Sequence, residues 1–470
     1  DVQTGSLARY VEPNMKFRAQ FVPNDPNWTL QWGPQKIEAD WAWNTTTGDP
    51  SILVAVIDTG IDYTHPDLAD NYVTLGLDWI EDDGDPLDDN GHGTHCAGII
   101  AAILNNNEGI AGLAQVQIMA EKGLDAGGWG SEDDLANAII HAVDQGANIL
   151  SNSWGDYFDS VLIHDAIRYA HENGVLVVAA AGNSQTSDKL YPAAYDEVVA
   201  VTAADSYDYP AWFTNFGDWV EVAAPGVNIY STMPTYNVTL NNPPYNENLN
   251  YDYLSGTSMA CPHVAGIAAL IWSQFPNATR DWVRAQLRYT ADDLGDSGFD
   301  EYYGYGRINA RRAVEQAPPD HDLLILGWDR PLSAKPRTSI IFNTTVLNYG
   351  TDNESGIVLR LLVNDALIDS ANIAFLEAGT SVTVTTSWNA ISEGIHNVTT
   401  YIVPVSGETN IANNFASAMI SVRYVLAALI SDNYQLLGVT SILDSIGVGY
   451  DAYNENWMRL YTENLGLLLN

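Results

Sequence analysis

Buried strands and amphipathic helices alternate along the first part of the chain. Residues 51–57 form a continuous apolar run rich in β-branched side chains, the pattern of a strand buried on both faces. A similar run occupies 175–181, and amphipathic helices are predicted at 131–145 and 161–173. Repeats of strand, helix and strand predict an α/β fold in which helices cover a parallel sheet.

The pattern changes to a period of two between Asp322 and Val422, after a linker at Pro318 and Pro319. Apolar and polar residues alternate there in short stretches separated by turn residues. A segment of this length and pattern, about a hundred residues, predicts an antiparallel β-sandwich.

The last segment returns to an α/β pattern. We predict a strand at 425–430 and a helix at 434–446, with nothing for the strand to pair against. The interpretation is an incomplete α/β unit at 425–470, the start of a domain that the chain does not complete. The expected domains are therefore 21–317, 320–424 and 425–470.

One stretch carries the strongest chemical signal, residues 255–266, which read SGTSMACPHVAG. It places Ser258 at the start of an apolar helix, where free backbone N–H groups and the helix dipole favour a developing negative charge. Gly256 is expected to provide a backbone conformation that other residues would find strained. A serine is a weak nucleophile alone, so it needs a base and a carboxylate that orients the base.

Candidates for the base and for the carboxylate lie N-terminal to Ser258 in the chain. Asp58 ends the buried run at 51–57, at the edge where parallel α/β sheets collect functional groups. His92 lies between glycines at the start of another apolar helix and is the candidate base. His95, three residues further on, is interpreted as a structural histidine. Taken singly, each of these residues is also compatible with a purely structural role.

Composition narrows the class of protein. Acidic residues outnumber Lys and Arg by 59 to 19, for a net charge of −40, which disfavours nucleic acid and anionic membranes as partners. No apolar run is long enough for a transmembrane helix. Two cysteines, Cys96 and Cys261, are too few for a disulfide framework and are interpreted as buried free thiols, with a disulfide as the alternative.

The order Asp58, His92, Ser258 and the motifs around these residues resemble the subtilisin-like serine proteases, and within them the thermitase branch. The resemblance covers about residues 22–315. The signature motifs are the segments 56–61, 65–68, 91–98, 181–183, 224–226 and 255–266. Residues 8–14 resemble the last strand of the family's inhibitory propeptide, so 1–20 is expected to be a propeptide remnant of a zymogen. The sandwich resembles Ig-like adhesion modules of the CARDB type.

The resemblance implies roles for these residues. Asp58 would orient His92, His92 would accept the Ser258 proton, and Asn183 would stabilise the oxyanion together with the Ser258 backbone. Two edges would pair with extended substrate: Gly127, Gly128, Trp129 and Gly130 on one side, and Ser151, Ser153, Trp154 and Gly155 on the other. The two tryptophans depart from the family's small or aliphatic residues and are expected to narrow the subsites on the N-terminal side of the cleaved bond.

The resemblance also implies Ca²⁺. Oxygen ligands of the kind that calcium prefers match a strong site of the thermitase branch. Its side-chain ligands would be Asp25, Asp67, Asn106 and Glu108, with carbonyl oxygens near Ile103 and Ile110, and a second site is expected in the acidic loop at Asp78, Asp83 and Asp85. A solvated acidic loop is the alternative for the second site.

The resulting hypothesis is an extracellular, calcium-stabilised serine endopeptidase that acts on proteins or peptides and is inhibited by its own propeptide. Two alternatives stay open. One is a catalytically silent surface or adhesion protein, and the other is a peptide ligase that uses the same serine.

Overall fold

The structure is a computed structural model that describes residues 21–81, 83–331, 333–390 and 392–423, together with the strands at 425–430, 449–453 and 457–461. The predicted propeptide remnant at 1–20 and the predicted helix at 434–446 lie outside the described residues. Contacts divide the chain into two compact units. The first runs to Pro276 and includes Gln286–Gln316, and the second contains Asn277–Ala285 and the chain from Ala317 onward.

The first unit is built on a six-stranded parallel sheet, as the alternating pattern predicted. Its strands follow the order β2-β1-β3-β4-β5-β6. The strands are β1 (Leu53–Asp58), β2 (Gln117–Lys122), β3 (Ile149–Asn152), β4 (Leu176–Ala180), β5 (Val198–Ala204) and β6 (Val222–Pro225). All six residues of β1 are buried, because helices cover both faces of the sheet.

Eight α-helices are assigned among the described residues: α1 (Trp32–Lys36), α2 (Ala39–Ala42), α3 (His92–Ala101), α4 (Glu132–Asp144), α5 (Val161–Glu172), α6 (Thr257–Gln274), α7 (Arg280–Tyr289) and α8 (Ala310–Glu315). The side chains of α4 and α5 form one core with alternate residues of β1, β3 and β4. Ser131 and Ser160 cap these two helices, each accepting a hydrogen bond from a backbone N–H of the first turn. None of the described helices is long and apolar enough to cross a membrane.

An antiparallel hairpin of β7 (Ile229–Thr232) and β8 (Tyr251–Leu254) directly precedes α6. The residues between its strands form a long polar loop that packs back on the rest of the unit. Asp62, which is fully buried, accepts hydrogen bonds from the backbone and the hydroxyl of Thr235. Tyr236 donates to the carbonyl of Asp88. The loop is therefore held against the segment that carries the candidate base.

The second unit contains the predicted antiparallel sandwich. One sheet has the order β14-β11-β9 and the other β10-β16-β15-β12-β13, where β10 and β16 pair in parallel. The strands are β9 (Leu323–Asp329), β10 (Ser333–Ala334), β11 (Thr338–Asn348), β12 (Glu354–Val363), β13 (Ala366–Leu376), β14 (Ser381–Ala390), β15 (Gly394–Ile402) and β16 (Phe415–Val422). Side chains of both sheets, such as Phe342 and Leu361, share its core.

The strand at 425–430 differs from its prediction in having a partner. The strand at 425–430 was expected to lack a partner, but β17 (Val425–Ile430) pairs antiparallel with β19 (Trp457–Tyr461), which also pairs with β18 (Gly449–Tyr453). The strand β19 is not predictable from the sequence pattern, because its five residues show no clear alternation of apolar and polar side chains.

Candidate active site

Polar groups collect where three neighbouring strands of the parallel sheet end. Asp58 is the last residue of β1, Ser153 directly follows β3, and Asn183 follows β4. Because β1, β3 and β4 are adjacent and parallel, their carboxyl ends lie at one edge of the sheet. Two helices bring the remaining candidates: His92 is the first residue of α3 and Ser258 the second of α6.

Asp58 and His92 are joined directly. The Nδ1 atom of His92 lies 2.7 Å from Oδ1 of Asp58, whose side chain is fully buried. Burial lowers the pKa of His92, but the charge of Asp58 and its hydrogen bond, with a smaller contribution from Asp88, raise that pKa above its usual 6.5 overall. Since a carboxylate only accepts, Nδ1 carries the proton, and the neutral ring keeps its Nε2 lone pair for a second partner.

The hydroxyl of Ser258 has a hydrogen-bond partner other than His92. Its hydroxyl donates to the carbonyl of Ser153 at 3.1 Å, and not to the imidazole of His92, among the described residues. The Ser153 hydroxyl in turn donates to the carbonyl of Ser258 at 2.9 Å. Serine side chains rotate readily between staggered positions, and catalytic hydrogen bonds often form only when substrate is bound.

Asn183 and the backbone of Ser258 offer two hydrogen-bond donors to the same space. The Oδ1 atom of Asn183 accepts from the backbone N–H of Thr257 at 2.8 Å, which orients the amide so that Nδ2 is left for another partner. A Cβ added to Gly256 would lie 3.5 Å from Nδ2 of Asn183 and 3.5 Å from the nitrogen of Ser258. Gly256 leaves that space open.

The expected reason for the glycine is therefore wrong. Gly256 has φ 165° and ψ 163°, an extended conformation that any residue adopts. The position needs glycine for the room beside the two donors and not for its backbone angles.

A cavity of about 810 Å³ runs between the two predicted substrate edges and reaches His92. Seven of the eight predicted substrate residues line it: Gly127, Gly128, Trp129, Gly130, Ser153, Trp154 and Gly155. The prediction for Ser151 needs correction. Its side chain is buried within β3, where its hydroxyl lies 3.7 Å from the thiol of Cys261 on α6.

Asp88 is a residue of this region that sequence reasoning missed. Its buried carboxylate accepts five hydrogen bonds from neutral donors. The donors are the backbone N–H groups of Asn90, Gly91 and Thr94 and the hydroxyls of Thr59 and Thr94. Burial is the largest effect and raises the pKa of Asp88 overall, while the hydrogen bonds lower it and offset part of that rise. The five donors therefore offset part of the cost of burying the charge. In the sequence, Asp88 is one of several similar acids in its loop.

The two cysteines are free and buried. The Cys96 thiol donates to the carbonyl of Ser258 at 3.4 Å, which links α3 to α6. Burial raises the pKa of both thiols, that of Cys261 to about 12. Both groups are therefore neutral and behave as small apolar side chains. His95 is also structural, as predicted: its Nε2 lies 3.0 Å from the carbonyl of Ile229, and burial lowers its pKa to about 3.

The residues predicted for the first calcium site lie around two buried carboxylates. Asp67 accepts from the side chain of Asn106 at 2.7 Å and from the backbone N–H of Ile110 at 2.8 Å. Asp25 accepts from the backbone of Asn105 and Asn106. Burial, together with the nearby charge of Asp25, raises the pKa of Asp67 to about 6.

The acidic loop does not collect its carboxylates in the same way. Asp78 accepts from the backbone of Ile80 and Glu81, Asp83 from the backbone of Asp85, and Asp85 from the hydroxyl of Tyr63. Among the described residues, neither this loop nor the first predicted site brings three acidic, histidine or cysteine side chains close enough to share an ion, so the first site would need backbone and amide oxygens as well.

Comparison with known proteins decides the family. Residues 49–306 match the subtilase family (Peptidase_S8), which is more than half of the chain. The chain belongs to the subtilase family. Residues 320–418 match CARDB, so the resemblances predicted for both regions are confirmed. This subtilase is a serine endopeptidase.

Several curated subtilases are similar to it. A thermophilic serine proteinase of Bacillus sp. (strain AK1) is 47% identical over 310 residues, which is 66% of this chain and 73% of that protein. Thermitase of Thermoactinomyces vulgaris is 43% identical over 297 residues, 63% of this chain and 100% of thermitase. The halolysin-like extracellular serine protease Nep of Natrialba magadii is 39% identical over 320 residues, 67% of this chain and 56% of Nep.

Replacing Asp88 with asparagine tests how this carboxylate supports His92. We expect Asp88→Asn to lower the free energy of unfolding by about 1–3 kcal/mol, because the amide group faces donors it cannot accept from. The pKa of His92 should also fall, since one negative charge that favours the imidazolium is lost. NMR titration of ¹³C-labelled histidine measures that pKa. The exposed Asp70→Asn is the control, and an unchanged His92 pKa in Asp88→Asn would contradict the interpretation.

Proposed function

We propose that this subtilase hydrolyses peptide bonds in proteins through an acyl-enzyme formed on Ser258, with His92 as the base and Asp58 as the group that orients it. The observation that carries the proposal is the 2.7 Å contact between His92 and the buried Asp58, at the edge of a cleft of peptide size. This contact fixes the imidazole with Nε2 available to accept the Ser258 proton.

In the acylation step, the Ser258 hydroxyl turns from the Ser153 carbonyl to His92 and attacks the carbonyl carbon of the substrate. His92 takes the proton and becomes an imidazolium, which Asp58 stabilises. The carbonyl oxygen becomes an oxyanion that receives hydrogen bonds from Nδ2 of Asn183 and the backbone N–H of Ser258, the two donors beside Gly256. His92 then protonates the leaving amine, and water hydrolyses the ester by the same route in reverse.

We propose that Ca²⁺ stabilises the subtilase at Asp25, Asp67 and Asn106. The donor set fits a hard cation, because two buried carboxylates of like charge lie near each other with no Lys or Arg paired to them among the described residues. The carbonyl oxygens of Ile103 and Ile110 accept no hydrogen bond among the described residues, and with the side chain of Glu108 they would complete the set. The second site, at Asp78, Asp83 and Asp85, stays a prediction.

We also propose that the subtilase acts outside the cell. The support is its acidic composition and its similarity to a relative described as extracellular. We further propose that the catalytic domain spans 21–317 and the second domain 320–424. The CARDB region of the second domain would act as an adhesion module. The propeptide remnant at 1–20 and the domain at 425–470 stay predictions.

Replacing the nucleophile tests the mechanism. Ser258→Ala should lower kcat for a peptide amide by about six orders of magnitude, as loss of the nucleophile does in other serine proteases. Labelling by a fluorophosphonate should disappear as well. The matched control is Ser255→Ala, an exposed serine three residues earlier, which should keep both activities. Peptide cleavage that persists in Ser258→Ala would refute the proposed nucleophile, and transfer of the acyl group to an added amine in preference to water would indicate a ligase.

Filling the space beside the oxyanion donors tests their role separately from the fold. Gly256→Ala should lower kcat/KM by about a hundredfold or more, the effect of losing one oxyanion donor, because the methyl group occupies the space of the substrate oxygen. The contacts of 3.5 Å are ordinary, so the melting temperature should stay near that of the wild type. Activity close to the wild-type level would mean that the oxyanion is stabilised elsewhere.

Removal of calcium tests the site at Asp25 and Asp67. Chelation should lower the melting temperature, because an ion that binds only the folded state at about a hundredfold above its Kd contributes about 2.7 kcal/mol of stability. Asp67→Asn should lose this response, whereas the exposed Asp70→Asn should keep it. A wild-type melt that is insensitive to chelator, measured by calorimetry, would exclude the site.

A further inference from the structure

Two acidic residues that line the cavity each have a carboxylate oxygen without a hydrogen-bond donor among the described residues. Glu132, the first residue of α4, accepts a hydrogen bond from Ser160 at the start of α5 through Oε2 at 2.6 Å. Asp156 accepts from the backbone of Phe158 through Oδ1 at 2.9 Å. The other oxygen of each carboxylate has no hydrogen-bond donor among the described residues, and both side chains line the cavity.

The positions of both carboxylates are fixed by the fold. Glu132 lies in the first turn of α4, behind the Ser131 cap, and its contact with Ser160 ties it to the N-terminus of α5. The backbone of Asp156 exchanges two hydrogen bonds with Tyr191, at 2.9 and 2.8 Å. Both exposed residues therefore lie on backbone that hydrogen bonds hold in place.

Aromatic side chains form much of the remaining wall. Trp129 is 77% exposed, Phe158 64% and Tyr245 56%, and all three line the cavity. Tyr245 comes from the long loop between β7 and β8. Aromatic faces attract cations and also pack well on an aliphatic stem.

Among the described residues that line the cavity there is no Lys or Arg. The carboxylates of Glu132 and Asp156 are therefore not paired with a Lys or Arg in the cleft itself. A peptide side chain that enters this cavity meets unneutralised carboxylates and aromatic faces together. That environment favours a substrate side chain with a long aliphatic stem and a cationic end, such as Arg or Lys, and disfavours an acidic one.

We propose that this part of the cleft is a cation-selective subsite, in which Glu132 and Asp156 recognise an Arg or Lys side chain on the N-terminal side of the cleaved bond. The proposal rests on the proposed function and names its substrate class as basic peptides. Glu132 and Asp156 act here as specificity residues and take no part in bond cleavage.

A set of internally quenched peptides tests the subsite. The peptides share one sequence and carry Arg, Lys, norleucine or Glu at each of the four positions before the cleaved bond in turn. At one of these positions we expect kcat/KM for Arg or Lys to exceed that for norleucine by about tenfold, with Glu the poorest, where tenfold corresponds to about 1.4 kcal/mol. High salt should reduce the preference, because it screens the charges.

Variants that remove one negative charge show which residues cause the preference for Arg or Lys. Glu132→Gln and Asp156→Asn should each reduce the ratio of Arg to norleucine. The matched control is Asp133→Asn, which removes the same charge from the next residue of α4, outside the cavity, and should keep the wild-type ratio. Active serine is counted by phosphonate labelling for each variant, so that loss of folded enzyme does not enter the ratios.

Three results would overturn the subsite. The first is equal cleavage of the Arg, norleucine and Glu peptides at all four positions. The second is a wild-type ratio in both Glu132→Gln and Asp156→Asn. The third is an equal fall of the Arg-to-norleucine ratio in Asp133→Asn, which would show that the preference follows the net charge of the protein. A wild-type protein that cleaves none of the peptides would instead overturn the proposed function, and the subsite with it.

Discussion

The active site depends on the close approach of α3 to the turn that follows β1. A Cβ on Gly93 would lie only 2.1 Å from the carbonyl oxygen of Gly60, so no larger residue fits between helix and turn. This approach brings His92 within 2.7 Å of Asp58. The buried carboxylate of Asp88 stabilises the same contact, because it accepts hydrogen bonds from Thr59 on the turn and from Thr94 on the helix. A charge that is buried to hold two segments together also contributes to the pKa of the base.

The same helix links the base to the other side of the site. The imidazole of His95 contacts the carbonyl of Ile229 on β7, and Ser231 donates to the carbonyl of His95. The Cys96 thiol reaches the carbonyl of Ser258 on α6. Because α3 contacts β1, β7 and α6 through short polar groups, small changes in any of them displace the base from the nucleophile. This explains why buried thiols and hydroxyls occupy positions where larger apolar residues would strengthen an ordinary core.

Local patterns were sufficient to predict the parallel sheet, and together with the family resemblance they predicted the residues that are proposed to carry the chemistry. The run at 51–57 identified a buried strand, and Asp58 at its end followed from the geometry of parallel sheets. Residues whose role depends on distant partners could not be recognised. Asp88 differs from neighbouring acids only through Thr59 and Thr94, and Ser151 differs from Ser153 only because β3 ends between them. For Gly256, the prediction of special backbone angles was wrong. Its angles are ordinary, and the two neighbouring hydrogen-bond donors explain why the position is a glycine.

The distribution of the few basic residues explains why the cleft is left with unneutralised acids. The chain has 19 Lys and Arg against 59 Asp and Glu. In the first unit several of these cations are used within the fold: the buried Lys122 pairs with Asp89 at 2.6 Å, Arg288 pairs with Glu221 at 2.6 Å, and Arg307 pairs with Asp292 at 2.7 Å. Cations that hold buried segments together cannot also neutralise a surface cleft. Among the described residues, Glu132 and Asp156 are therefore left without a Lys or Arg partner in the cleft, which is the charge distribution on which the proposed subsite rests.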